Sequence, residues 1–175
     1  MLKPQDVLSA CKIYALEIAR QEWSYALLAR EVGLSQGEAH NAVLRCHLAQ
    51  IITPGDTVSK RILRDVLAVA LPRMCFAIRG STVLGVPTGV HAPVIASQFG
   101  HRDPGEAPLV WAVTDDANKD MLVKGLSLEP IYPSVPLAAC NDSLVYELLA
   151  LVDVIRTGSS QDRQTAISLL DKRFK

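Results

Sequence analysis

The sequence predicts a mainly α chain with a small β component, and three observations carry that expectation. Apolar residues recur at helical spacing over 4–20, 24–50, 60–71 and 143–174, with capping residues at several of the starts. Between 74 and 136 the pattern breaks, because Gly80, Gly85, Pro87, Gly89, Pro93, Gly100, Pro104, Gly105 and Pro108 forbid long helices and leave room for short strands. Hydrophobic residues make up 49% of 175 positions, enough to bury a core in one domain or two small ones and too many for a disordered chain.

The first helix is expected from Pro4, suited to a first helical turn, to about Arg20. Val7, Leu8, Cys11, Tyr14, Ala15 and Ile18 form one apolar face, and Ile13 and Leu16 a second. A helix apolar over so much of its girth touches more than one neighbour. The next two helices, about Ser24–Val32 and Gln36–Gln50, carry the spacing of a helix-turn-helix. Ala29 is small where the helices cross, Gly33 suits a left-handed bend, Leu34 turns inward and Ser35 can cap the following helix. On that helix Ala39, Ala42, Val43, Cys46 and Ala49 share the inward arc.

Ile51 to Val58 read as two short extended pieces around the Pro54-Gly55 turn, a small hairpin that would form a wing. Ser59 is placed to cap a fourth helix from Lys60 to about Leu71, with Ile62, Leu63, Val66, Leu67 and Val69 inward and Pro72 as its stop. Residues 1–73 therefore read as a winged helix-turn-helix domain, and 74–175 as a mixed β/helical C-terminal region for dimerisation or sensing. In the latter, strands are expected at Cys75–Ile78, Val83–Val86, Leu109–Val113 and Val123–Leu128, with a solvated turn at Asp115–Asp120. Pro130, Pro133 and Pro136 suggest an extended connection before two helices, Ser143–Arg156 and Gln161–Phe174, separated by Thr157-Gly158-Ser159-Ser160.

The formal net charge is zero but unevenly spread: up to Gly80 there are ten Lys and Arg against seven Asp and Glu, and the remainder has eight against eleven. A modest basic face on the N-terminal part is compatible with nucleic acid without demanding it. No apolar run reaches the ~20 residues of a membrane span. The first residues lack the pattern of a signal peptide, so a cytoplasmic protein without membrane contact is expected. Cys11, Cys46, Cys75 and Cys140 are scattered, as expected of reduced, buried thiols.

On the outward arc of the third helix lie Gln36, Gly37, His40, Asn41, Leu44, Arg45 and His47. Asn and Gln can make paired hydrogen bonds to adenine and Arg to guanine, Gly37 permits close approach, and Leu44 suits a thymine methyl. The competing reading is an ordinary solvated face. Lys60, Arg61 and Arg64 are candidates for phosphate contact, or a solvated basic face. Ser24 and Tyr25 open the second helix, where such modules meet the DNA backbone; Tyr25 also suits core packing.

The run Trp23-Ser24-Tyr25-Ala26-Leu27-Leu28-Ala29-Arg30-Glu31-Val32-Gly33-Leu34-Ser35, with Glu38-Ala39-His40 and Ala42-Val43-Leu44-Arg45, resembles the MarR-like winged-helix transcription factors of bacteria. The likeness covers about the first seventy residues. It implies a third helix in the major groove, a wing on the adjacent groove or backbone, and a homodimer on a near-palindromic site. Ser35, Gln36, His40, Asn41 and Arg45 are the implied DNA-contacting set. The chain departs from the pattern in Gln50, where Gly is common, in a hairpin tip without Lys or Arg, and in the outward Leu44 and Leu48.

Catalytic and metal patterns are weak. There is no CxxC, HExxH or Gly-x-Ser-x-Gly, and the acidic run 115–120 lacks the Gly and Glu of a calcium loop. Gly85–His91 is Gly-rich but lacks the Lys-Ser/Thr of a phosphate loop. No cofactor and no enzymatic activity are expected. The leading expectation is a DNA-binding transcriptional regulator, a repressor, working as a homodimer built from the first helix and the C-terminal region, with a small-molecule or protein effector. A winged-helix adaptor or antitoxin-like partner that binds protein through Leu44 and Leu48 is the alternative, and a ligand-binding or catalytic module around Gly85–His91 a second.

Overall fold

The computed structural model describes residues 1–100, 105–113 and 119–175. Eight α-helices are described: α1 Pro4–Ile18, α2 Tyr25–Val32, α3 Gln36–Leu48, α4 Lys60–Asp65, α5 Leu71–Met74, α6 Val135–Asn141, α7 Ser143–Thr157 and α8 Ser160–Arg173. Three strands, β1 Arg79–Pro87, β2 Leu109–Ala112 and β3 Val123–Leu128, lie between α5 and α6. The chain is thus mainly helical with a small sheet.

α1 sits at the centre. Every residue from Asp6 to Leu16 is buried, and the helix packs on α2 and α3 on one side and on α7 on the other. Its two apolar faces are thereby both used within one chain. The polar residues among them are neutralised in place: Ser9 donates to the Gln5 carbonyl, and Lys12 Nζ meets Asp142 at 2.8 Å and Glu31 at 3.4 Å. Asp142 also caps α7 by accepting from the Leu144 and Val145 amides. The far end is tied by Tyr14, whose hydroxyl donates to the Arg173 carbonyl while its ring stacks on Phe174. Ile18, expected inward, ends the helix in solvent. One hydrophobic core runs from α1 through α3 to α7 and α8, across the 73/74 boundary expected from sequence.

Residues 60–74 differ most from expectation. Pro72 does not stop the helix. The segment Val66–Ala70 forms a π-helical turn, closed by the Leu71 amide on the Val66 carbonyl, and α5 continues beyond it with Pro72 in its first turn. Proline lacks an N–H and its ring clashes with the carbonyl four residues earlier; a wider turn relieves both problems. Val69, expected inward, is 47% exposed, because it lies two residues, about 200° of helical rotation, from the buried Leu67. Ser59 occupies the N-cap of α4 but its side chain makes no capping bond.

The sheet closes on itself. β1 pairs antiparallel with β3 along its first part and with β2 at Gly85–Pro87, while β2 and β3 run parallel through Leu109–Val110 and Leu126–Ser127. Gly85 is the point where β1 passes from one partner to the other, opposite both Val123 and Ala112. A Cβ there would enter the Trp111 carbonyl, so only glycine fits. Cys75–Ile78 is not a strand: Arg156 donates to the Cys75 and Phe76 carbonyls, which removes them from any ladder. The expected turn at Asp115–Asp120 lies largely outside the described residues.

The sheet is fastened to α7 by a buried polar cluster. The Asp153 carboxylate accepts from Thr88 Oγ1 and Trp111 Nε1, both at 2.7 Å, and from Arg156 Nη1 at 2.6 Å. Burial pushes its pKa up, against the opposing pull of Arg156 and the two hydrogen bonds. Nearby, Tyr146 donates to the Pro87 carbonyl.

The expected extended connection at Pro130–Pro136 is half correct. Pro136 lies in the first turn of α6, the same role as Pro4 in α1.

Candidate nucleic-acid interface

Helices α2 and α3 and the turn between them form as their residues dictate. Ser24 caps α2, its hydroxyl accepting from the Leu27 amide at 3.2 Å. Gly33 takes φ +67°, in the left-handed region, and its amide closes on the Ala29 carbonyl. Ser35 then starts α3 with a reciprocal capping box: its hydroxyl accepts from the Glu38 amide, and the Glu38 carboxylate accepts from the Ser35 amide and hydroxyl. These bonds hold the Glu38 carboxyl below the usual carboxylate range.

Ala39, Ala42, Val43 and Cys46 face the core as expected, whereas Ala49 lies past the end of the helix and is exposed. The Cys46 thiol donates to the Asp6 carbonyl and burial pushes its pKa up to about 12. On the opposite face Gln36, Gly37, His40 and Asn41 are exposed. Nothing lies within 4 Å of where a Gly37 Cβ would be, so the start of the helix is open to an approaching surface. Tyr25 sits between the two helices, edge-on to Trp23 and 5.2 Å from the His40 ring, and so orients that imidazole while staying 38% exposed. Leu44 and Leu48 continue the row, 50% and 78% exposed.

Two expected DNA contacts are otherwise engaged. Arg45 does not extend from this face: its Nε and Nη2 donate to the two carboxylate oxygens of Asp6 at 2.8 and 2.6 Å. Asp6 is fully enclosed and the Arg45 side chain is only 22% exposed. A buried carboxylate needs its cation, and α1 brings one to bear on Arg45 that sequence spacing alone did not reveal. Arg64 likewise pairs with Asp171 of α8 at 2.7 Å and with Asp65 at 3.0 Å. Lys60 reaches the Lys175 carbonyl at 3.3 Å, and Arg61 is exposed with no hydrogen-bond or ion-pair partner among the described residues.

The segment after α3 is smaller than the hairpin expected. Only the Ile52–Val58 bridge forms, with Thr53 and Thr57 hydroxyls 2.7 Å apart across the tip. Gln50, which stands where glycine is common, holds φ +57°. The Val58 amide donates to Glu17 at the end of α1, and His47 Nε2 lies 3.0 Å from Asp56 at the tip. A tip bearing Asp56 and no cation presents nothing attractive to phosphate.

Sequence reasoning missed how firmly α6 holds the motif. Ser134 donates to the Val32 carbonyl at 2.5 Å and Asn141 to the Glu31 carbonyl at 3.1 Å, both on the last turn of α2. Leu137 and Ser134 also press on Gly33, where an added Cβ would come within 2.9 Å of each. The readable signal was Ser134-Val135-Pro136, a helix start by its capping residue and early proline. Among the described residues no His, Cys, Asp and Glu cluster suited to a metal is present. Among the described residues no helix is long and apolar enough to cross a membrane. Compared with known proteins, the chain matches no family model, no curated protein and no solved structure.

Proposed function

We propose that this chain binds double-stranded DNA through the outward face of α3 and acts as a transcriptional regulator, a repressor. The observation that supports this best is a capped helix-turn-helix whose second helix leaves Gln36, His40 and Asn41 in solvent beside an open Gly37. In this reading Gln36, His40 and Asn41 meet base edges, Leu44 a thymine methyl, and Ser24, Tyr25, Lys60 and Arg61 the sugar-phosphate backbone. Arg45 and Arg64 have a different part, holding α3 to α1 and α4 to α8. Reading a near-palindrome requires a second copy, and α1 is enclosed within its own chain. The second copy therefore meets another surface; in the region from 74 onward the exposed Met74, Phe76, Ile78 and Leu84 offer apolar area for it.

The test begins with selection of bound fragments from genomic DNA by the purified protein, followed by anisotropy titration of the selected duplex. Asn41→Ala should weaken specific binding by roughly 5- to 150-fold, the equivalent of the ~1–3 kcal/mol of a lost base contact. Lys60→Gln with Arg61→Gln should weaken all duplexes alike and flatten the salt dependence. Unchanged binding in Asn41→Ala, or no duplex retained at any salt concentration, refutes the proposal.

The adaptor reading is favoured by two specific observations: Leu44 and Leu48 are exposed, and the arginine of the face is committed to Asp6. Under that reading Leu44→Ser with Leu48→Ser abolishes function in the cell, while Asn41→Ala leaves it intact.

A further inference from the structure

We propose that the cleft between the π-helical turn and helices α7 and α8 is a binding site for a small organic anion with a compact apolar body. This inference goes beyond the DNA-binding proposal and stands or falls separately from it. The cavity measures about 310 Å³. That is the lower end of the range for small-molecule pockets, which sets the size of the occupant. Val69, Pro72, Ile155 and Ile167 supply its apolar wall, and Arg73 and Arg163 stand at its exposed rim.

The two rim arginines are held but not spent. Arg73 Nη1 donates to the Val69 carbonyl at 3.2 Å, and Arg163 Nε donates to the Gly158 carbonyl at 2.9 Å. Each guanidinium carries five N–H groups, so one tether apiece fixes its position and leaves the other donors for a ligand. Among the described residues neither arginine has a carboxylate partner, and the lining contains none. Arg156 also borders the cleft, but its guanidinium is engaged by Asp153 and by the Cys75, Phe76 and Glu129 carbonyls. It acts as a fixed wall and not as a receptor.

The shape of the wall depends on the π turn. Val69 lies within this turn about 200° round the helix axis from the buried Leu67, so it stands on the outer side and lines the cleft. Turns of this kind recur at functional sites, and here one coincides with two unpaired cations and an apolar recess. The chemistry that satisfies both is a planar carboxylate or sulfonate, matched by a guanidinium fork, on an aromatic or branched aliphatic body.

The test uses isothermal titration of the intact protein with 2-naphthoate, 2-naphthylmethanol and sodium sulfate. Naphthoate should bind saturably with one site per chain, and the neutral alcohol and the bare anion should each bind at least tenfold more weakly. Arg73→Gln with Arg163→Gln should lower naphthoate affinity at least tenfold, and Ile167→Trp, which fills the recess, should abolish it. Both arginines are exposed, so thermal melting should show the double variant folded. If it is not, the comparison of the three ligands on the unmodified protein decides. Equal binding of acid and alcohol, naphthoate affinity unchanged by the substitutions, or no saturable naphthoate binding overturns the proposal.

Discussion

Breaking the Asp6–Arg45 pair tests the central joint of the fold. Arg45→Ala leaves a fully enclosed carboxylate with the Lys3 amide as its one remaining side-chain hydrogen bond. Charge centres about 4 Å apart attract by roughly 4 kcal/mol at an effective dielectric constant near 20. Stranding a buried partner costs about 3–5 kcal/mol overall. With an m-value of roughly 2 kcal/mol/M for urea, the midpoint of unfolding should fall by about 1.5–2.5 M. Asp6→Ala also removes the α1 capping bond, and the double variant should be less damaged than the two single losses added together. Urea titrations of the four proteins, followed by far-UV circular dichroism, give the coupling directly. A shift below about 0.5 M for Arg45→Ala, or strict additivity in the double variant, would show that the ion pair is worth no more than an exposed one and would refute its place as the central joint.

Other expectations follow from the same geometry. Gly33→Ala adds a Cβ at φ +67° against Leu137 and Ser134, so strain and overpacking together should cost about 2–4 kcal/mol; a thermal melt within error of the parent would refute it. Cys11 is buried and its pKa is raised by that burial, and Cys46 behaves likewise, so neither should react with a disulfide reagent until the chain unfolds. More than two thiols titrating in the native protein would contradict this. The Glu38 carboxyl is depressed in the folded state, so its share of stability is present above the unfolded value near about 4.3 and is lost as pH falls through the lower folded value. A carboxyl-detected NMR titration should find Glu38 below the exposed glutamates; an ordinary value would mean that the capping box does not form in solution.

Much of the helical half was legible because its signals are local. Helical periodicity located α1, α2, α3, α7 and α8 to within a few residues at either end. Gly33 and Ser35 were read correctly, since capping and a left-handed turn depend on neighbours three or four residues away; the cap made by Ser24 was not foreseen. Ser59 failed the same reasoning, as its position is right and its bond is absent. At Pro72 the local rule gave the wrong answer: a helix supported by α7 can absorb a proline by widening one turn. The candidate interface was legible as a face, from Gln36 to Leu44, but not as a set of free side chains.

Spacing along single elements gives the class of the chain, the helices α1 to α4, α7 and α8 in their order, and the exposed polar row on α3. Packing in three dimensions alone assigns Arg45 to Asp6 and Arg64 to Asp171, locks the turn at Gly33 under α6 and closes the three strands on one another. The side-chain pairings among them join residues from 39 to 107 positions apart. The physical reason is desolvation. A charge or carbonyl enclosed by packing must find a partner wherever the fold brings one, and no periodicity along the chain records which partner that will be.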